Sequence, residues 1–380
     1  MAARIVIIGG GVIGSAVASF LGERGFGPAV TVIERDPTYK SASSALSASS
    51  IRAQFSTGIN IAIWRESIAF LRNIAGEIGL VEPGYLYLAS EAGRETLTRL
   101  HAVQRRCGAE VALLSPAELA RRFPWLDTAG LALGSLGLAG EGWFDGYGLL
   151  QWFRRRARAA GVRYVADEAI GMSRRGRRIV CARLAGGDEI ECDFVVNAAG
   201  PWAGEVAALA EADLPVRPRR RTVFVIDCRK RPPEFPLVID PSGVWFRPEG
   251  AQTICGVSPD ATNDPDHAPL EVEYPLFDEI VWPALAKRVP AFAAIRLTSA
   301  WAGYYDFNTF DQNGIVGPHA ELDNLILANG FSGHGMQQAP TIGRGVAEWI
   351  ACGRYVTLDL GALGHDRIGA DRPLREANVI

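Results

Sequence analysis

The chain alternates short β-branched runs with longer stretches in which apolar residues recur every three or four positions. Arg4 to Ile8 is the first such run and reads as a buried strand. From Val12 to Gly25 the period changes, placing Ile13, Val17 and Leu21 on one helical face. Ala29 to Ile33 is again a strand. Helices are predicted over 59–78, where Phe70, Ile74 and Ile78 stand four apart, over Glu95–Cys107 and over Gly146–Ala160. Gly84 to Ser90 reads as a strand. Ser115-Pro116-Ala117-Glu118 has the residues of a capping box with proline at the first helical position, so another helix starts there. Short strands follow from Val162 to about Glu191, turning at Gly176 and Gly186-Gly187, and Asp193 to Asn197 is one more. β-type runs with Pro-rich turns fill 215–300, apart from a helical stretch from about Glu271 to Arg288. Asn324 to Ala328 is a strand. Pro340 is read as opening the last helix, through Ile342, Val346, Trp349 and Ile350, with Gly353 stopping it. No internal repeat is visible.

This order implies an α/β protein: a Rossmann-type nucleotide-binding domain with an inserted, sheet-rich α+β domain. The 380 residues exceed what one compact core fills. Segments 1–80, 140–214 and 310–380 are expected to build the discontinuous nucleotide-binding domain. Segments 81–139 and 215–309 are expected to build a substrate domain.

Composition narrows the function classes. Hydrophobic residues make up 48% and charged residues 21%, and the formal net charge is -3, so nothing global draws the chain to nucleic acid or an anionic membrane. The arginine runs 154–158, 174–178 and 217–221 read as solvated faces. The six cysteines form no C-x-x-C pair and cluster with no histidine, so neither a metal site nor a disulfide framework is expected. A reduced, cytoplasmic setting follows. No stretch approaches the ~20 apolar residues of a membrane span, which leaves peripheral membrane contact open.

The chemistry begins at Gly9-x-Gly11-x-x-Gly14, with Val12 and Ile13 between, directly after the first strand. Gly9 makes the tight turn, Gly11 lets a pyrophosphate approach the backbone, and Gly14 lets helix and sheet pack closely. The helix N-terminus offers free N–H groups and partial positive charge to phosphates. Glu34, 20 residues past Gly14 and at the end of the second strand, is placed for ribose hydroxyls. This fingerprint points to a dinucleotide without separating FAD from NAD. The Ser/Ala-rich stretch 41–50 is a loop expected to lie over that ligand. Asn197-Ala-Ala-Gly200-Pro-Trp202 and Gly330 to Gly335 are further places where backbone meets a ligand.

Three blocks taken together, GGGVIG with Glu34-Arg35, NAAGPWAG and GFSGHGMQQAP, resemble the D-amino-acid oxidase superfamily of FAD-dependent oxidoreductases, which includes glycine and sarcosine oxidases and dimethylglycine dehydrogenase. The segments SALSASSIRAQF and WAGYYDFNTFDQNGIVG are similar to its FAD-dependent oxidoreductase domain-containing branch, which includes an assembly factor for the respiratory NADH dehydrogenase. The resemblance implies that Gly9 to Gly14 hold the FAD pyrophosphate and that Glu34 binds the adenosine ribose with Arg35 beside it. It places Ser43, Ser44, Ile51 and Arg52 at the flavin border, and the backbone of Ala169 at the adenine. Ala199, Gly200 and Trp202 then line the ADP end. Gly333, His334, Gly335, Met336 and Gln337 lie against the pyrimidine side of the ring.

The implied reaction is hydride transfer to flavin from the carbon next to an amine. Departures from the family pattern shape the rest. Tyr304 stands where monomeric sarcosine oxidase has its flavin-linked cysteine, implying non-covalent FAD. Ile254 matches an oxygen-activating lysine, which favours a dehydrogenase over an efficient oxidase. Gln337 replaces the lysine of the last glycine turn, and Tyr305 replaces glycine oxidase's substrate arginine. Arg52 is then the leading carboxylate clamp and Arg247 the second. His334, Tyr304, Tyr305 and Gln337 complete the catalytic candidates, although alternation along a strand lets at most one of the two tyrosines face the pocket. Asp306 and Asp311 read as surface acids and Trp301 as core. The substrate is expected to be a small amine or amino acid, with an open electron acceptor: oxygen, a quinone or a protein carrier. A 2-hydroxy-acid dehydrogenase and a flavin-binding assembly scaffold are the alternatives.

Overall fold

A computed structural model describes residues 3–377. The strands and helices that position the site are β1 (Ile5–Ile8), α1 (Val12–Glu23), β2 (Val30–Glu34), α2 (Ser43–Leu46), β3 (Tyr85–Ala89), β4 (Arg163–Ala166), β5 (Phe194–Asn197), β6 (Val216–Asp227), β7 (Arg296–Asn308), β8 (Ile315–Pro318), β9 (Leu325–Asn329) and α3 (Gly335–Cys352).

β1 has four buried residues in a row, the pattern of a strand covered on both faces. It pairs in parallel with β5 on one side and β2 on the other. The six-stranded sheet runs β8-β9-β5-β1-β2-β4, so its strands come from three widely separated parts of the chain. Ile7, Val17, Leu21, Ile342 and Val346 belong to the apolar layer on one face, where α1 packs against α3. Gly343 lets the two helices approach, since a Cβ there would lie 2.6 Å from that of Ala16. Val6, Ile8, Val195 and Leu327 belong to the layer on the other face.

The second sheet has eight strands, with β7 at one edge followed by β6, Gln252–Gly256, Trp245–Glu249, Leu237–Ile239, β3, Leu133–Gly137 and Val111–Leu114. One face is covered by helices at 116–122 and 274–288, whose Leu119 and Leu285 share a cluster with Phe224 and Phe246 of the sheet. The capping box at Ser115 forms as expected, with Ser115 and Glu118 exchanging hydrogen bonds. The other face, with Tyr85, Tyr87, Leu237 and Val223, belongs to smaller apolar clusters nearer the cleft.

Three helix predictions need correction. The stretch 59–78 is two helices, Gly58–Asn73 and Ala75–Ile78, broken where Ile74 leaves helical geometry at φ −121°. The stretch from Glu271 begins only at Tyr274 and carries a wide π turn at Phe277–Val281. Pro283 follows that turn; it has no N–H to donate four residues back, which accounts for the widening. The last helix starts at Gly335, not Pro340, which lies inside it. The early start brings the free first-turn amides to the Gly333–Gln337 turn.

Candidate functional site

A cavity of about 590 Å³ runs between the two sheets. One end is built from the strand–turn–helix at the N-terminus. Gly9 has φ +97°, and a Cβ there would stand 2.3 Å from the Ala198 carbonyl oxygen. Gly14 packs against the same turn, where a Cβ would lie 1.9 Å from the Gly9 carbonyl oxygen. Gly14 thus sits behind the wall, whereas Gly9, Gly11, Val12 and Ile13 line the cavity. Glu34 accepts from the N–H groups of Gly10 at 2.7 Å and Asp36 at 2.9 Å. Burial pushes its carboxyl upward, against those hydrogen bonds. Arg35 stacks over the Trp202 ring at 3.8 Å. Ala169, Ala199 and Gly200 complete this end.

The serine-rich loop crosses the middle. Ser44 Oγ accepts from the Val12 N–H at 2.9 Å, and Ser43 Oγ donates to the Tyr304 carbonyl at 2.6 Å. α2 therefore bridges the glycine turn and β7, and residues 41–44 and 46–50 line the cavity. Ile51 does not: it is fully buried and pairs with Gly142.

The other end gathers Arg52, Tyr304, Tyr305 and the turn Gly333, His334, Gly335, Met336 and Gln337. Arg52 is 4% exposed. Its backbone N–H donates to Gln337 Oε1 at 2.9 Å, and its guanidinium donates to the Tyr87 hydroxyl at 2.5 Å and meets His334 Nε2 at 3.0 Å. A guanidinium only donates, so Nε2 accepts and the neutral ring carries its proton on Nδ1. Nδ1 is buried and meets no hydrogen-bond partner among the described residues. Burial, and then the Arg52 charge, hold His334 down to about 3. The His334 ring meets Phe55 edge-on at 5.1 Å, and Arg52 lies over the same Phe55 ring at 4.8 Å.

Several expectations change. Both tyrosines line the cavity, because four consecutive residues, Gly303 to Asp306, border it as the cleft wraps around β7. Tyr304 donates to the Ala268 carbonyl at 2.6 Å and meets Trp202 edge-on, while Tyr305 lies under Arg221 at 5.0 Å. Asp306 also lines the wall, and burial pushes it up to about 6 although Phe331 N–H donates to it at 3.0 Å. Asp311 is not a surface acid but a buried one, paired with Arg367 at 2.8 Å. The run 217–221 is no solvated face. Arg221 holds Asp264 by two bonds of 2.8 and 2.9 Å and lines the cavity, and Arg219 pairs with Asp264 and Asp266. Arg247 is buried but stands outside the cavity wall, donating to the Ala48 carbonyl at 2.7 Å. Trp301 donates to the Leu46 carbonyl and packs with Val223 and Val225.

Sequence reasoning missed Tyr85 and Tyr87 on β3, and Glu141. Burial pushes the Tyr85 phenol up to about 12 and Tyr87 upward as well. Glu141 is fully buried, accepts from the N–H groups of Ala53 at 2.6 Å and Gln54 at 3.1 Å, and is pushed up to about 7 by burial. No local motif marks these three, since their partners lie 30 or more residues away. Among the described residues, no group of three or more His, Cys, Asp or Glu side chains could hold a metal ion, and no helix is long and apolar enough to cross a membrane.

An elongated cavity with a side-chain-free turn at one end and a helix N-terminus at the other fits a dinucleotide carrying a redox ring. The comparisons with known proteins agree. The model for the family described as "FAD dependent oxidoreductase" matches residues 4–349. The chain is 42% identical to FAD-dependent oxidoreductase domain-containing protein 1 of Xenopus laevis, covering 100% of this chain and 85% of that one. It is 26% identical to mitochondrial sarcosine dehydrogenase of Mus musculus, over 98% of this chain and 43% of that one. The crystal structure of L-proline dehydrogenase from P. horikoshii superposes with a TM-score of 0.88 at 26% identity, covering 98% of this chain and 99% of that one. The chain belongs to the FAD dependent oxidoreductase family, and FAD is its cofactor.

Proposed function

We propose that the protein dehydrogenates an amino acid or secondary amine acid at the carbon next to nitrogen. The observation that carries this reading is the buried guanidinium of Arg52 in the cavity wall, beside His334 and Gln337. Its planar fork of donors suits a carboxylate and fixes its orientation. Bound FAD supplies the hydride acceptor. The first-turn amides of α3 offer positive potential at that end of the cavity. His334 stays neutral, its acceptor Nε2 taken by Arg52 and its proton affinity too low to take up a proton near neutrality, and the phenols of Tyr85 and Tyr87 stay protonated, so none of the three acts as a base at neutral pH. The Arg52 charge opposes a second cation nearby, which favours the amine in its neutral, reactive form.

Two of the relatives are named for sarcosine and proline, both secondary amine acids, and this supports the substrate class. Ile254 is buried in the sheet, with no lysine at that position, in keeping with a dehydrogenase that passes electrons to an acceptor other than oxygen. Among the described residues no cysteine lines the cavity, which supports reading the FAD as non-covalently held. Segments 1–80, 140–214 and 310–380 are read as the FAD-binding domain, and 81–139 with 215–309 as the substrate domain.

The test is anaerobic reduction of the purified yellow protein by a panel of amino, imino and hydroxy acids. Bleaching by one amine acid supports the proposal, and air re-oxidation then separates oxidase from dehydrogenase. Bleaching by hydroxy acids alone overturns the amine chemistry. A bound flavin that nothing bleaches favours a scaffold role.

A further inference from the structure

The C-terminal segment reaches the back of the reactive end. Glu376 is 7% exposed, although most of its neighbours in sequence are open to solvent. Its Oε2 accepts from the Ser56 N–H at 2.5 Å and the Ser56 hydroxyl at 2.6 Å, while Oε1 accepts from the Thr57 hydroxyl and from Asn60 Nδ2 at 2.6 Å. These four donors are neutral. Burial works against the charge, and the hydrogen bonds from Ser56, Thr57 and Asn60 outweigh it and hold the carboxyl below its ordinary range.

What the four donors belong to is the telling point. Ser56 and Thr57 follow Phe55, whose ring touches His334 and underlies Arg52. Asn60 is bonded twice more. Its Oδ1 accepts from Gln338 Nε2 at 3.1 Å, one residue past Gln337, and its Nδ2 donates to Asn313 Oδ1 at 2.7 Å. Asn313 in turn donates to the Leu374 carbonyl, and Leu374 N–H donates to Asp311 at 2.9 Å. The tail is thus tied at two points: the carboxylate ties Ser56 and Thr57, which follow the Arg52 segment, to Asn60, and Asn60 carries the link on to Gln338 in the first turn of α3. Residues 52 and 337 are themselves joined by the Arg52 N–H to Gln337 bond.

We propose that Glu376 is a positioning residue: its carboxylate holds the Arg52–Thr57 segment against the first turn of α3 and so fixes Arg52, His334 and Gln337 relative to one another. This rests on the reading of Arg52 as the carboxylate clamp. A neutral amide in its place turns one acceptor oxygen into a donor facing donors, which loosens the junction without opening a large void.

The experiment compares wild type with Glu376→Gln and with Thr57→Val, which removes one donor and keeps the carboxylate. Benzoate serves as a simple carboxylate probe, with its binding read from perturbation of the flavin spectrum. The visible circular dichroism of the bound flavin is recorded without any probe. Glu376→Gln is expected to weaken benzoate about tenfold, with Thr57→Val between it and wild type. It should alter the flavin dichroism and raise KM more than it lowers kcat. Benzoate affinity and dichroism both unchanged in Glu376→Gln overturn the proposal, even if the melting temperature falls, since that marks a purely structural role. If Glu376→Gln does not fold, the same two readouts in Thr57→Val decide. If wild type itself binds neither benzoate nor an amine acid, the clamp reading fails, and the dichroism alone decides whether Glu376 positions this end.

Discussion

The two ends of the cavity are built on opposite principles. At the nucleotide end the wall is backbone: Gly9, Gly11, Ala199 and Gly200 present little beyond amides, and closeness is the design. At the reactive end the wall is buried polar side chain: Arg52, His334, Gln337 and Tyr85, supported from behind by Tyr87, Glu141 and Glu376. The first end draws on two N-terminal stretches with residues 169 and 199–202, the second on at least five stretches scattered from Arg52 to Glu376. The first should therefore fail on any added atom. The second should tolerate changes of shape and fail on changes of charge or hydrogen bonding.

The largest effect expected is at the first end. Gly9→Val meets both the left-handed backbone and the Ala198 carbonyl, and should weaken FAD by at least about 100-fold, read as colourless protein after gel filtration. An equally yellow variant would break the comparison. Next, Arg52→Met should keep its flavin and lose about 100-fold in kcat/KM for the amine acid, since a charge-assisted pair is removed. Steady-state kinetics and flavin content together decide it.

Glu141 gives a pH test. Its folded value of about 7 lies above its ordinary 4.5, so the unfolded chain ionises first as pH rises. Its contribution is fully present below about 4.5 and is lost as pH climbs through about 7, so the melting temperature should decline across that window. Glu141→Gln should flatten the decline by roughly 2–4 °C, checked by thermal melts at both ends of the window. The smallest effect is at Arg35, which is exposed where it stacks on Trp202 and pairs with Glu168. Arg35→Ala should cost only about two- to fivefold in FAD affinity, measured by titration of apoprotein.

The same contrast explains what could be read in advance. The fingerprint Gly9 to Gly14 with Glu34 is local, because turn, helix and strand succeed one another along the chain, and each residue type has one physical reason to be there. The serine-rich loop was legible as a cover for the same reason. Tyr87, Glu141 and Glu376 carry no such mark, because a buried polar residue is defined by partners that come from elsewhere in the sequence. Asp311 looked like a surface acid until Arg367, 56 residues later, closed the pair. Pro340 is a breaker on local grounds, yet α3 runs through it, since packing on α1 outweighs one lost hydrogen bond.

The order of the six-stranded sheet also sets a timetable for biosynthesis. β1 is flanked by β5, so Ile5 must wait for Phe194, and β5 in turn waits for β9, with Val196 opposite Ile326. At about 5–20 residues per second a ribosome needs on the order of 15–60 seconds to deliver both partners. For roughly the first 10–40 seconds of that interval, until β5 is delivered, the fingerprint strand is made but unpaired on one side. The residues of the nucleotide end are all made by Trp202, but the reactive end waits for the turn Gly333 to Gln337, so the full cofactor site closes only late in synthesis.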